Sequence, residues 1–283
     1  ENASADPDLK SELESIKGKE AEISDRFYRE LEFGTGGLRG VIGAGTNRMN
    51  VYTVNKATQG LADYVKNHGG KSVAISCDSR IKSDYFARSA AEVFAGNGIK
   101  VHIYSELMPT PMLSWAVRSI KSDAGVMVTA SHNPAKYNGN KLYASDGCQV
   151  TIEAADEILG YIGKTDIFKG VKTADFDESV KSGLISFIGQ DVIDAYIAEV
   201  KKQSLHPEIC AAAGLKVVYT PLNGAGNKPV RRILKEIGIK DVVVVPEQEN
   251  PDGNFTTCPY PNPEIREALE LGLKLCEKEK PDL

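Results

Sequence analysis

The 283-residue sequence has no surplus of positive charge: 34 Lys and Arg stand against 39 Asp and Glu, a formal net charge of −5. A nucleic-acid footprint is ordinarily basic, so no nucleic-acid partner is expected, and an anionic substrate would have to be caught by local cations. No apolar run approaches the roughly 20 residues that span a bilayer, which leaves no membrane partner to expect. Nothing of signal-peptide type opens the sequence, and it begins at Glu1 instead of methionine, which leads to the expectation of a trimmed chain. Cysteine is sparse: Cys77, Cys148, Cys210, Cys258 and Cys276 are odd in number and form no Cys-x-x-Cys pair. That spacing suits reduced thiols in a cytoplasmic protein, not a disulfide framework or a zinc site. The Gly-x-Ser-x-Gly elbow of the serine hydrolases is also missing.

What is present alternates between two periods. Leu9, Leu13, Ile16, Ile23, Phe27 and Leu31 recur at helical spacing, so one or two amphipathic helices are expected against the first domain. From residue 53 the pattern predicts helices over 53–67, 83–95, 111–120 and 152–162, with Ser83 capping the second. Strands are predicted over 72–77, 99–104 and 124–129. A polar stretch, 163–183, reads as a surface linker, and its Asp175-Phe176-Asp177-Glu178 is declined as a metal site. Beyond it come strands at 184–188, 216–220 and 241–245, helices at 191–203, 229–236 and 264–279, and an irregular loop at 247–263. His68, His102 and His206 have no partners visible in sequence, and Trp115 reads as core. Strands separated by helices imply an α/β protein. We expect two doubly covered, mostly parallel β-α-β domains, residues 1–188 and 189–283, with an amino-terminal helical extension.

The chemistry concentrates between Val126 and Tyr143. A Val- and Met-rich strand ends in Thr129-Ala130-Ser131-His132-Asn133-Pro134, and Asn138-Gly139, read as a turn, returns the chain through Asn140-Lys141. Ser131 thus falls at a strand's carboxyl end, where open α/β sheets hold ligands. A lone serine there could merely cap a turn. The surrounding donors allow three chemistries: acyl transfer with His132 as base, a simple anion site, or phosphoryl transfer through a phosphoserine. The first fits poorly, because neighbours in an extended chain point to opposite sides. Gly34-Thr35-Gly36-Gly37-Leu38-Arg39-Gly40 has four glycines in seven residues, which permits close backbone approach to a ligand, yet it is not continued by the Gly-Lys-Ser/Thr of a P-loop. Asp78-Ser79-Arg80 follows another strand end, as an active-site rim or a capping turn.

Thr129 to Pro134 followed by Asn138-Gly139-Asn140-Lys141 resembles the active-serine loop of the α-D-phosphohexomutases, the phosphoglucomutase/phosphomannomutase family. Gly34 to Gly40 is similar to the family segment that faces that serine, with Gly36 where many relatives carry Ser, and Thr220 to Gly226 is similar to the phosphoglucomutase/phosphopentomutase branch. The resemblance implies a sugar-phosphate substrate, a phosphoserine at Ser131, Lys141 as general acid/base, and Arg39, His132, Asn133 and Arg80 as phosphate-binding groups. It implies interconversion of sugar 1-phosphate and 6-phosphate through a bisphosphate intermediate. It further implies Mg²⁺, which would touch this chain only through the Ser131 phosphate oxygen, because the family's Asp-x-Asp-x-Asp-Arg loop does not occur. The remaining metal ligands are expected beyond Leu283. The expectation is therefore an amino-terminal half, inactive on its own, of an intramolecular phosphotransferase whose partner is the carboxyl-terminal half of the same enzyme. Phosphopentomutase activity and a non-catalytic sugar-phosphate-binding or interaction module stand as alternatives.

Overall fold

The computed structural model describes residues 6–34 and 36–283; Glu1 and Thr35, both named above, lie outside them. Helices α1 (Pro7–Ser15) and α2 (Glu20–Phe27) open the chain, followed by strands β1 (Phe33–Gly34) and β2 (Gly37–Val41). Then come α3 (Val51–Asn67), β3 (Ser72–Cys77), α4 (Ser83–Gly96), β4 (Lys100–Ile103), α5 (Thr110–Ile120), β5 (Ala124–Val128) and β6 (Tyr137–Ala144). Helices α6 (Ile152–Lys164) and α7 (Phe176–Lys181) lead to β7 (Ile185–Phe187). The remainder is α8 (Gln190–Lys201), α9 (Pro207–Ala212), β8 (Lys216–Tyr219), α10 (Asn227–Glu236), β9 (Asp241–Val244), α11 (Pro246–Glu249) and α12 (Arg266–Glu279).

Strands β1 to β7 form one sheet in the order β1-β2-β6-β5-β3-β4-β7. The pairs β5/β3, β3/β4 and β4/β7 are parallel, and those linking β1, β2, β6 and β5 are antiparallel. Five of the seven strands therefore run in one direction. Alternation along each strand feeds two cores. Val73, Ile75, Val126, Val128 and Leu142 face Leu61, Phe86, Phe94 and Ile158 from α3, α4 and α6. Ala74, Met127 and Tyr143 face Met112, Leu113 and Val117 from α5. A strand buried on both faces needs apolar residues at every position, which is why β5 reads Ala-Gly-Val-Met-Val. The expected doubly covered sheet is present.

Three local expectations are corrected. Asn138-Gly139 is not a turn: both residues lie inside β6, and the reversal occurs at 131–136. The Asn138 side chain, fully buried, donates to Ile81 O and Ser83 Oγ, which satisfies in a strand the amide that ordinarily favours turns. Ser83 does not cap α4; the cap position is Lys82 at φ 61°, and Ser83 Oγ instead donates to Asp78 Oδ1 at 2.9 Å. Residues 163–183 are not a free linker, because Lys172 and Ala174 donate backbone N–H groups to Gln59 and Glu92, and α7 inserts Phe176 into the core. This segment carries the chain back over α3 and α4 so that β7 can join the sheet.

The amino-terminal extension is held in two ways. Helix α1 buries Leu9, and Ile16 at its carboxyl-terminal cap is buried as well. Helix α2 has no buried residue, and Arg26 ties it down by pairing with Glu12 and donating to Ala44 O. After β7 the second unit is small: β8 and β9 form a two-stranded parallel sheet, with α12 packed on β8 and α10 against α8. Trp115 is half-buried at the seam between α5 and α8, where its indole N–H donates to Val192 O at 3.1 Å. Lys228 of α10 pairs with Glu106 across the same seam. Among the described residues no helix is long and apolar enough to cross a membrane.

Candidate active site

Strand β5 delivers Thr129, Ala130 and Ser131 to the carboxyl edge of the sheet. Pairing with β6 continues one step past the strand, Thr129 N–H to Gly139 O at 2.8 Å, and then the backbone breaks away. Ser131 takes the left-handed conformation at φ 56°, sparsely populated by non-glycine residues. Local bonds hold it there. Thr129 Oγ1 accepts the Ser131 N–H at 2.9 Å and donates its own proton to Asp78 Oδ2 at 2.5 Å. Asp78, at the end of β3, also accepts from the Arg80 N–H and the Ser83 hydroxyl. Burial pushes the Asp78 carboxyl above the usual range, and the Thr129 bond works against that rise.

Arg80 is the second anchor. Its side chain is buried, and its four Nη hydrogens go to the carbonyls of Ser131, Asn133, Pro134 and Tyr137. Arg80 lines neither of the clefts described below; it lies beneath the loop. Asn133 closes the loop from above by donating Nδ2 to Ala130 O at 2.7 Å. The left-handed turn brings His132 Nδ1 to 3.5 Å from Ser131 Oγ, nearer than extended chain would allow but too far for a working nucleophile–base bond.

Ser131 is exposed where two clefts meet. One, of about 610 Å³, is walled by Gly34, Gly36, Gly37, Arg39, His132, Asn140, Lys141 and Gln149. Arg39 faces Gly139 across the β2/β6 pair, and Lys141 faces Gly37 on the same pair and Met127 on β5. Neither Arg39 nor Lys141 forms an ion pair among the described residues, so both side chains line the serine's cleft uncommitted. The glycines are required by contact. A Cβ on Gly37 (φ 151°) would lie 1.7 Å from Asn140 O, and one on Gly139 would lie 2.4 Å from Leu38 O. Without these two glycines β2 could not lie this close to β6, and Arg39 would not reach the cleft. The other cleft, about 380 Å³, lies between the units and is lined by Asp78, Ser79, Thr110, Tyr219, Thr220 and Phe255 together with Ser131.

Of the residues singled out from sequence, Ser131, His132, Asn133, Lys141 and Arg39 converge on the larger cleft and Arg80 does not. Sequence reasoning misses Thr129 and Asp78 as anchors, although Asp78 at a parallel strand end beside the serine strand is a usable signal. Among the described residues no group of three or more His, Cys, Asp or Glu side chains could hold a metal ion. Leu283, the boundary beyond which the remaining ligands are expected, is itself no part of the site. It is exposed beside β8, where its carbonyl accepts the Val218 N–H at 2.9 Å, and it lines neither cleft. The donors on the described residues do not by themselves fit Mg²⁺. With cations around an exposed hydroxyl and no base in contact with it, the arrangement suits holding an anionic group on Ser131 better than deprotonating a free serine.

Comparison with known proteins agrees in both units. Residues 30–167 match the phosphoglucomutase/phosphomannomutase alpha/beta/alpha domain I, and residues 194–283 match domain II. A phosphoglucomutase of Staphylococcus saprophyticus is 39% identical over 260 residues, covering 92% of this chain and 47% of that protein. A phosphoribomutase of Saccharomyces cerevisiae is 36% identical over 278 residues, covering 93% of this chain and 44% of its own length. The chain thus spans about half the length of these relatives. A crystal structure of phosphomannomutase type from Thermus thermophilus superposes with TM-score 0.73 at 26% identity, over 87% of this chain and 52% of that one.

Proposed function

The chain belongs to the phosphoglucomutase/phosphomannomutase family, and on that premise we propose that Ser131 is the phosphoryl carrier of a phosphohexomutase. In the forward step the Oγ–P bond of phosphoserine 131 breaks as a P–O bond forms to the free hydroxyl of a sugar monophosphate. The hydroxyl proton passes to Lys141 in its neutral amine form, which becomes the ammonium and is the general acid/base of this reading. The bisphosphate then reorients, its other phosphoryl group returns to Ser131 Oγ, and Lys141 returns the proton to the sugar oxygen released. Arg39 offsets the charge of the transferring group through a planar, bidentate guanidinium. His132 and Asn133 bound the phosphate, while Arg80 positions the loop instead of grasping the anion.

The observation that carries this reading is the exposed left-handed Ser131 with uncommitted Arg39 and Lys141 on one cleft wall. A phosphoserine bears nearly two negative charges, and cations free of carboxylates are what such a group requires. Mg²⁺, which the family resemblance implies, would polarise the phosphoryl oxygens and meet this chain only at the Ser131 phosphate. We further propose that the chain divides at 188/189 into two units, that the carboxyl-terminal half of the enzyme is the partner of both, and that the enzyme is cytoplasmic, in keeping with its free cysteines. The test is mutase turnover on glucose, mannose and ribose monophosphates, primed with a sugar bisphosphate, for the complete enzyme with both halves present and for its Ser131→Ala variant. Loss of all turnover in the variant is expected; binding without turnover in the wild type would favour a non-catalytic module, and preference for ribose phosphate a phosphopentomutase.

A further inference from the structure

The segment that follows α11 reaches from the second unit to the back of the serine loop. Asp252 shapes it: the carboxylate accepts the N–H groups of Asn254 and Thr256, each at 2.9 Å, and its carbonyl accepts that of Phe255 at 3.1 Å. Asn223, buried and left-handed at φ 56°, ties it to the second sheet by donating to Asn250 O and accepting from the Thr257 hydroxyl. At its crest Gly253 touches the turn after β3 so closely that a Cβ would lie 2.7 Å from Ile81 N and 2.9 Å from Ser79 O. Phe255, 4% exposed, sits with its ring centroid 5.1 Å from the Arg80 guanidinium carbon.

Phe255 adopts φ 48°, a conformation that a bulky residue keeps only where its surroundings over-determine it. Its surroundings are the Asp252 turn behind and Arg80 in front. A buried guanidinium over a ring face is held by the ring's quadrupole, more strongly when water is excluded. Arg80 in turn spends its Nη hydrogens on four carbonyls of the serine loop, and its Nε has no hydrogen-bond acceptor, the Asp78 carboxylate standing 3.6 Å from it as an ion pair. That ion pair holds the guanidinium at its edge, and the ring is the packing on its face that keeps the fork square to the loop.

We propose that Gly253 and Phe255 are a positioning clamp: from the second unit they fix Arg80, and through Arg80 they set the backbone that presents the Ser131 hydroxyl. This deepens the phosphoryl-carrier reading and rests on it. Phe255 touches no reacting atom; it acts through Arg80.

Two readouts on the complete enzyme test the clamp, amide hydrogen exchange of residues 129–137 and steady-state mutase kinetics. Phe255→Leu is expected to speed exchange at Asn133 and Tyr137 roughly tenfold while amides in α3 and β3 stay protected. In the same variant kcat falls by about 10- to 100-fold with KM nearly unchanged. Phe255→Tyr restores both, and Gly253→Ala, which wedges the contact apart without altering the ring, reproduces the Leu phenotype. Unchanged loop exchange and unchanged kcat in Phe255→Leu would overturn the clamp, as would a general loss of protection that Tyr does not rescue. Should the wild type show no turnover while loop exchange still follows Phe255, the carrier reading falls and the clamp stands.

Discussion

At 129–133 and again at 220–224 the chain leaves a parallel strand through a threonine whose hydroxyl accepts the N–H two residues on, at 2.9 Å for Ser131 and 3.0 Å for Leu222. In both loops that second residue is left-handed, φ 56° for Ser131 and 49° for Leu222. In both the N–H two positions further returns to the carbonyl beside the threonine, Asn133 to Ala130 and Gly224 to Pro221. The loops differ in what they present and what anchors them. Ser131 is exposed over two clefts, whereas Leu222 is 9% exposed and packs against Cys258 and Ala268. Thr129 donates to the half-buried carboxylate of Asp78, and Thr220 to the neutral amide oxygen of Gln248 at 2.7 Å. A left-handed non-glycine residue costs roughly 1–2 kcal/mol, and both loops carry that cost. Backbone strain is thus a property of the loop design, and the reactive character of the first loop comes from one hydroxyl and the cations beside it.

That distinction can be broken experimentally. The largest effect is expected from Ser131→Ala, which lowers mutase turnover by more than about 10³-fold and leaves thermal stability nearly unchanged. Leu222→Ala should do the opposite, costing about 2–4 kcal/mol in urea unfolding with no direct loss of the phosphorylated residue. Next come the threonines. Thr129→Val and Thr220→Val should each cost about 1–3 kcal/mol, because each strips a donor from an acceptor largely shielded from water, but only Thr129→Val should cut kcat, by roughly tenfold or more.

The smallest effect concerns pH. Burial raises the Asp78 carboxyl in the folded protein above its unfolded value, so the folded state holds that proton more tightly. The associated stability is fully present below the unfolded pKa, near about 4, and is lost as pH rises through the raised folded value. Asp78→Asn, which makes the first loop resemble the Gln248-anchored one, should remove that slope. Urea midpoints of the two proteins compared from acid to neutral pH would show it, and parallel curves would contradict the assignment.

Much of the first sheet was legible in sequence because its strands obey a short-range rule: apolar runs flanked by helical periods, with Ser72–Cys77 read to the residue. The serine loop was legible for the same reason, a strand end with turn chemistry. What escaped depends on contacts far away in the chain. Asn138-Gly139 carries a turn signal, yet its amide is satisfied 55 and 57 residues away and its glycine is demanded by Leu38 O and Thr129 O. Arg80 reads as rim or cap because its partners lie 51 to 57 residues downstream. The second unit was harder still, since its loops are fixed by Asn223 and the buried Gln248, polar residues whose sequence pattern gives no hint of burial.

The central claim is that the first of the two loops carries a phosphoryl group and the second does not. The direct measurement is peptide mapping of the complete enzyme after incubation with a radiolabelled hexose bisphosphate. Label on the peptide containing Ser131, chased off by unlabelled sugar monophosphate and absent from Ser131→Ala, is the expected result. Mutase turnover with no label on Ser131, or with label that the Ala variant retains, would contradict the account.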